Sequence, residues 1–335
     1  MTRGTIRVGF WNTWLLRPRT WPGGPVLPVI GEKLAPNVAQ RAPLVGAAVR
    51  GRFDVVALAE CFEAPEQEAV AAAWPEATLV PGPTRGRFRL TGSGLAALVD
   101  PAAVELVHSA VHPYRSGGDL RDSDTFATKG AQLTRVRVGG AGELDIFSTH
   151  LIAGGDLLPI RGAEDSVRHH AARMRQVDEL VSFIERERRP SNPILVVGDL
   201  NVQRHNASLA DPSADYDDLA LRFARIGLAD LWAAHGVGPG HSCSFTSPTD
   251  LPSDPDEPDQ VVDDPDHDPA SAPGERIDYL WLAPAQDGSV SVEVDRPRRW
   301  AFTGRGVRGG KAGSLSDHLA LSVTLHLSSD ATPSA

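Results

Sequence analysis

The chain has 335 residues, 41% of them hydrophobic and 23% charged, a composition that supplies a large buried core and reads most simply as one large domain. Its formal net charge is −10, but nine acids and no Lys or Arg fall between Asp250 and Asp268, so the rest is near neutral and has no strong basic stripe for nucleic acid. No stretch reaches the roughly 18 apolar residues of a membrane span, and the two cysteines, Cys61 and Cys243, lie outside any metal-binding spacing and read as free thiols.

The N-terminus runs from Met1-Thr2-Arg3 into the strand-like Ile6 to Phe10, with no apolar signal core before it. A cytoplasmic protein is expected from the sequence as it stands, and a secreted one if a signal peptide was trimmed. Val38 to Arg50 reads as a helix and Asp54 to Ala59 as a short apolar run of the buried-strand kind. Further strand-like runs are Gly94 to Val99, Gln132 to Val138, Leu144 to Ser148 and Ile194 to Val197. From Asp165 the period changes, and Val167, Ala171, Met174, Val177, Leu180, Val181 and Ile184 recur at helical steps, which predicts an amphipathic helix ended by Pro190. Ala214 to Ala234 is expected to be mostly helical. An acidic, Pro-rich flexible insertion follows at about residues 249–273. Ile277 to Leu282, Ser289 to Val294 and Leu319 to Leu327 complete the strands of a single domain over residues 1–328, with 329–335 a short disordered tail. Strands alternating with helices early and meandering later predict mixed sheets sandwiched between helices.

The polar residues at the ends of these strands are Asn12, Glu60, His150, Asp199, Asn201, Asp278, Asp317 and His318. Carboxylate and amide oxygens suit Mg²⁺ or Mn²⁺, and Glu60, closing a buried strand, is the best single ligand candidate. His150 and His318 carry the side chain suited to acid–base work near neutrality. Asp317 can orient His318 only across a turn, because neighbours on an extended strand point to opposite faces. Asp199 and Asn201 share a face if the chain stays extended, although Asp and Asn are also ordinary turn formers. Lys129 is either one more positive contact for a phosphate or a lysine in a glycine turn. Trp300-Ala301-Phe302 lies in a basic, Gly-rich stretch from Arg296 to Lys311, and reads either as a lipid-facing segment or, more simply, as a core strand.

These residues in this order resemble the endonuclease/exonuclease/phosphatase superfamily, the DNase I-like fold. The pattern is Trp11-Asn12-Thr13, Asp54 to Glu60, Thr149-His150, Gly198-Asp199-Leu200-Asn201, Arg276-Ile277-Asp278-Tyr279 and Ser316-Asp317-His318. The resemblance implies an α/β, four-layer sandwich of two packed mixed β-sheets flanked by helices, and Mg²⁺-dependent hydrolysis of a phosphate ester. Within the superfamily the chain is most similar to neutral sphingomyelinases and related phospholipase C enzymes, through Asn12 to Leu16, Glu60-Cys61-Phe62-Glu63 and Asp124 to Gly130. It departs from them at Ala59, where Gln is usual, and at Cys61, where an aliphatic residue is usual. The resemblance makes Glu60 the principal metal ligand, supported by Asn12. It makes His318, held by Asp317, the group that activates water, and gives His150 and Asn201 the phosphoryl oxygens, with Lys129 as an added substrate contact. Asp199 and Asp278 are assigned to orienting His150, the nucleophile or the leaving group. The expected partner is a phosphate-ester substrate, at a membrane surface if it is a lipid. The rival readings are a nuclease of the same fold, a phosphatase acting on a small or isoprenoid phosphate, and a catalytically dead binding scaffold.

Overall fold

The computed structural model describes residues 2–17, 19–21, 24–87, 89–117, 123–154, 165–204, 213–237, 240–243, 260–261 and 275–329. In chain order the elements are β1 (Thr2–Leu15), α1 (Pro28–Leu34), α2 (Val38–Val49), β2 (Val55–Cys61), α3 (Ala64–Ala72), β3 (Thr78–Pro81), β4 (Ala96–Val99), β5 (Glu105–Pro113), β6 (Gly130–Arg137), β7 (Glu143–His150) and α4 (Asp165–Glu187). Then come β8 (Ile194–Asp199), α5 (Ser213–Ala224), β9 (Ala229–Asp230), α6 (Leu231–His235), β10 (Gln260–Val261), β11 (Asp278–Ala283), β12 (Val290–Val294), β13 (Arg298–Ala301), β14 (Thr303–Gly309), β15 (Lys311–Ser314) and β16 (Ala320–Ser329).

The strands form two large mixed sheets and a small hairpin of β14 with β15. The first sheet has the order β10-β13-β16-β1-β2-β4-β3, with β12 also on β16, and the second the order β5-β6-β7-β8-β11-β9. Strand alternation gives each sheet two apolar faces. The inner faces meet in one core to which Ile6, Val8, Phe10, Val55, Ala57 and Leu325 contribute from the first sheet, and Val136, Ile146, Leu195, Val197 and Leu280 from the second. On the outside of the second sheet, Phe147, Val196, Tyr279 and Trp281 pack on Val177, Leu180 and Phe183 of α4 and Leu219 and Phe223 of α5. On the outside of the first, Trp11, Val56, Leu58 and Leu98 pack on Val45 and Val49 of α2 and Val70 of α3. The result is the expected sandwich of helices, sheet, sheet and helices.

Several elements differ from the sequence reading. β1 begins at Thr2 because Thr2 to Thr5 pair with His326 to Ser329. The stretch Ala214 to Ala234 is broken after Ala224, where Gly227 takes φ 84°, before β9 and the short α6. β5 escaped the sequence pattern because it is an edge strand with no fully buried residue. Trp300 and Phe302 belong to the outer core of the first sheet, stacked on each other at 6.2 Å and against Phe53, so the core reading of that segment is the observed one. The acidic insertion and the tail lie outside the described residues, apart from Gln260 and Val261 on β13 and Ser329 at the end of β16.

One buried cation ties α2 to the end of β1 and to the segment before β16, at the end where the polar residues collect. Arg41, fully buried in α2, donates to the carbonyls of Pro36, Thr13, Trp14 and Leu315 at 2.7–2.9 Å. Arg41→Met keeps the volume and strands four buried carbonyls, each worth about 1–3 kcal/mol when left unpaired. A loss of about 3 kcal/mol or more in urea-unfolding free energy is expected, and a loss below about 1 kcal/mol would show that these contacts are not what fixes the junction.

Candidate functional site

Pairing register brings the polar residues together. In the second sheet His150 of β7 stands beside Asp199 of β8, and Asp199 beside Asp278 of β11. Each ends an inward stripe: Leu144 and Ile146 lead to His150, Leu195 and Val197 to Asp199, and Leu280 back to Asp278. In the first sheet Ile6, Val8 and Phe10 lead in the same way to Asn12, which pairs with Ala59. Simple alternation would turn Glu60 away from this gap. Instead Glu60 has φ 56° and Trp14 φ 49°, and three steps on β1, from Asn12 to Leu15, match two on β2, from Ala59 to Cys61. This bulge, in backbone regions that ordinary residues rarely adopt, turns the Glu60 carboxylate toward Asn12.

The Asn12 amide Nδ2 donates to Glu60 Oε1 at 3.1 Å and to Asp199 Oδ2 at 2.9 Å, while its Oδ1 accepts from the Trp14 backbone. Asn12 therefore joins a carboxylate of one sheet to a carboxylate of the other. His150 Nε2 lies 3.9 Å from Glu60 Oε1 and 3.7 Å from Asp199 Oδ2. Lys129, buried just before β6, places Nζ 3.3 Å from His150 Nε2 and 3.1 Å from Asp124 Oδ1. Its neighbour has to be a glycine, because a Cβ on Gly130 would stand 2.6 Å from the His112 carbonyl oxygen. Asp124 also accepts from the Ala153 backbone at 2.6 Å.

His318 Nδ1 meets Asp278 Oδ2 at 2.7 Å, and its carbonyl accepts from Trp11 Nε1. The carboxylate that holds the His318 ring is thus Asp278 of the facing sheet. Asp317 instead accepts from Ser316 Oγ at 3.3 Å, since the ring and its chain neighbour point apart. Nor does the chain remain extended from Asp199 to Asn201. Asn201 has φ 51°, its backbone N–H donates to Asp199 Oδ1, and its Nδ2 donates to the Leu151 carbonyl, so the pair forms an Asx-type turn. All nine residues singled out in the sequence sit at this end of the sheets. Asp124, the first residue of the Asp124 to Gly130 stretch, joins them through Lys129, while Ser242, whose Oγ accepts from the Asp278 backbone, and Cys243, whose backbone bridges to His318, joined them unannounced. The His241-Ser242-Cys243 segment carries no strand pattern and gave no signal.

The electrostatics are uneven. Burial, then the charge of Asp317, holds Glu60 above the ordinary carboxylate range; burial and Asp278 push Asp199 up to about 7; burial raises Asp317. Burial and Lys129 hold His150 well below the usual imidazole value, which keeps it neutral. Burial is the largest influence on His318 and opposes its charge, but the attractions of Asp278, Cys243 and Asp317 together outweigh it and raise His318 well above the usual value. Two imidazoles pushed in opposite directions are suited to different proton-handling tasks.

A cation fits this charge distribution. Glu60, His150 and Asp199 each offer one ligand atom, all within 4.8 Å of one another, and so do Asp199, Asp278 and His318. Asp278 Oδ1 is buried without a hydrogen-bond partner. Hard carboxylate oxygens at Glu60 and Asp199, raised by burial and then by neighbouring carboxylates, match a small divalent ion.

A family model described as the Endonuclease/Exonuclease/phosphatase family matches residues 9–318. The chain belongs to this family. Membership places its chemistry in the hydrolysis of phosphate esters. Among solved structures the chain is similar to a mannosyl-6-phosphatase from Bacteroides thetaiotaomicron, at TM-score 0.61 and 18% identity over 96% of this chain and 99% of that one. It is similar to sphingomyelinase C from Streptomyces griseocarneus, at TM-score 0.56 and 18% identity over 96% and 99% of the two chains. It is also similar to a beta toxin variant from Staphylococcus aureus with bound magnesium ions, at TM-score 0.59 and 16% identity over 95% and 98%. At such identities the likeness is one of fold. No curated protein matches the chain in sequence. Among the described residues no helix is long and apolar enough to cross a membrane.

The raised carboxylates make a prediction for the metal-free protein. A carboxyl whose folded-state value lies above its unfolded one favours folding while protonated. For Asp199 that contribution is full below about pH 4 and is lost as pH rises through about 7. Mg²⁺ should therefore raise the thermal midpoint by several degrees at pH 8 and by much less at pH 5, following RT ln(1 + [L]/Kd). Equal shifts at both pH values in differential scanning fluorimetry would refute a binding site among these carboxylates.

Proposed function

We propose that the chain is a divalent-cation-dependent phosphodiesterase acting on a phospholipid-type phosphodiester. The reading is carried by one observation: the strand ends of both sheets converge on a gap lined by Glu60, Asp199, Asp278, His150, His318 and Lys129. Glu60, with Asp199 beside it, would hold the cation, and Asn12 would keep these two carboxylates together across the gap. Bound there, a divalent cation supplies Lewis-acid polarisation of a phosphoryl oxygen.

The remaining roles belong to the chain's own groups. With Nδ1 engaged by Asp278, His318 presents Nε2 as the atom that takes a proton from the attacking water, and Asp278 stabilises the imidazolium that forms. Neutral His150 and the ammonium of Lys129 face the phosphoryl group as donors, where they offset charge that develops on its oxygens. Asn201, whose backbone caps Asp199, shapes the phosphoryl side of the gap. Asp317, at the turn into β16, acts on Glu60 and His318 through its charge. A near-neutral body and the absence of a basic stripe in the sequence favour a lipid-type diester over nucleic acid.

The decisive assay compares sphingomyelin in mixed micelles, a soluble phosphodiester, a phosphomonoester and supercoiled plasmid, each with Mg²⁺ and with EDTA. Metal-dependent release of phosphocholine or turnover of the soluble diester is expected, and cleavage of the monoester alone or of plasmid alone would move the chain to a phosphatase or a nuclease. Glu60→Gln should raise the Mg²⁺ requirement, and His318→Ala should lower kcat by about 10²–10⁴ with the fold intact by circular dichroism. Asp278 raises the proton affinity of His318, so Asp278→Asn should move the rising alkaline limb of kcat to lower pH as well as lower its plateau. A limb that stays in place would remove His318 from the base role.

A further inference from the structure

We infer that the rim beside Glu60 is a docking surface for an anionic lipid bilayer, built from Trp21, Arg85, Arg87, Leu90 and Phe126. The inference rests on the lipid-phosphodiester reading above and adds to it the surface and the charge of the membrane.

An open cleft of about 460 Å³ runs alongside the strand that carries Glu60, with Phe62, Pro83, Leu90 and Leu95 among its apolar lining and Arg19 and Arg85 also lining it. Its wall backs onto the site, since a Cβ on Gly94 would stand 2.9 Å from the Phe62 ring and 3.2 Å from Glu60 Cα. Glu63 ties the two rims together: one oxygen accepts from Arg19 Nε at 2.7 Å and the other from Thr91 Oγ1 at 2.9 Å. Two residues beyond Arg19, Trp21 is 59% exposed; on the opposite rim Phe126 is 40% exposed and its carbonyl accepts from the Leu90 backbone at 2.7 Å. These are two of the five large apolar side chains that stand exposed among the described residues, and each adjoins a residue that lines this cleft, Trp21 through Arg19 and Phe126 through Leu90. Arg85, which lines the cleft, and Arg87 two residues on are exposed.

The combination selects its occupant. An indole and a phenyl ring exposed on either side of an apolar-lined cleft fit the headgroup level of a bilayer, where amphipathic rings settle. Arginines interleaved with them fit an anionic leaflet, and on a chain of net charge −10 such a local cationic rim sets which face approaches it. A duplex would use the arginines for its phosphates and leave the exposed rings and apolar lining unmatched.

Sedimentation with sucrose-loaded vesicles, in EDTA so that no turnover occurs, separates the possibilities. The full chain should bind vesicles of phosphatidylcholine with phosphatidylglycerol and bind phosphatidylcholine alone weakly. Arg85→Glu with Arg87→Glu should lower partition onto the anionic vesicles by about tenfold or more and abolish its salt dependence. Trp21→Ala should weaken binding to both vesicle types with the salt dependence retained. Turnover of a soluble phosphodiester should be unchanged in each variant, which also reports that they fold. No vesicle binding, equal binding by the charge-reversal variant, or preference for a single-stranded oligonucleotide would overturn the inference. Soluble turnover without vesicle binding would fault the surface and leave the hydrolase reading standing. Vesicle binding without turnover of any phosphodiester would do the reverse.

Discussion

The packing of two sheets through their inner faces constrains everything else in this molecule. A strand that contributes every second side chain to a shared core carries that stripe to its end, and the residue there still points into the gap. Ile6, Val8 and Phe10 commit Asn12 to the gap, and Leu195 and Val197 commit Asp199. The core is closed over most of its length by aliphatic groups and opens only where Asn12, His150, Asp199 and Asp278 replace them. The site is thus the polar end of a hydrophobic interface, and its members are positioned by register rather than by loops.

That placement has an electrostatic consequence. Buried carboxylates from two sheets face one another with Lys129 and the His318 imidazole as the cationic partners, and Lys129 already engages Asp124. Elsewhere the fold neutralises buried charge in pairs, as at Arg135 and Asp145 or Arg276 and Asp230. At the sheet ends the balance is left negative, and burial together with the neighbouring carboxylates raises Glu60 and Asp199. Glu60 is moreover held in a left-handed backbone conformation that alternation would not give it. Uncompensated negative charge and local strain at one point are what a site reserved for a cation and a phosphoryl group requires.

The sequence carried the parts of this arrangement that depend on one strand at a time. Period-two runs ending in Asp199, His150 and Asp278 were readable because the same alternation that builds the core also labels its end. What was unreadable depends on two strands or on a departure from regular geometry. The partner of His318 is Asp278, across the gap, although Asp317 is adjacent in the chain. Asn201 leaves the strand at φ 51°, so its position relative to Asp199 follows from a turn and not from alternation. Lys129 was ambiguous because Lys-Gly occurs in any turn; only its burial against His150 and Asp124 decides its place.

Aromatic residues show the same division. Trp11, Trp14, Trp21, Trp300 and Phe302 are equivalent in a sequence, each as apt for a core as for an interface. The strands sort them: Trp300 and Phe302 flank the step from β13 to β14 and pack with Phe53, and Trp11 closes the same cluster 4.9 Å from Phe302. The basic stretch around Trp300 therefore has its rings turned inward, and its Trp300 Nε1 is occupied by Ser322 Oγ at 2.7 Å. Trp21 lies beyond the end of β1, past the point where alternation assigns faces, and there the ring is exposed. The strands that bury one set of rings thus leave Trp21 exposed past the end of β1, the strand whose bulge against β2 sets the place of Glu60.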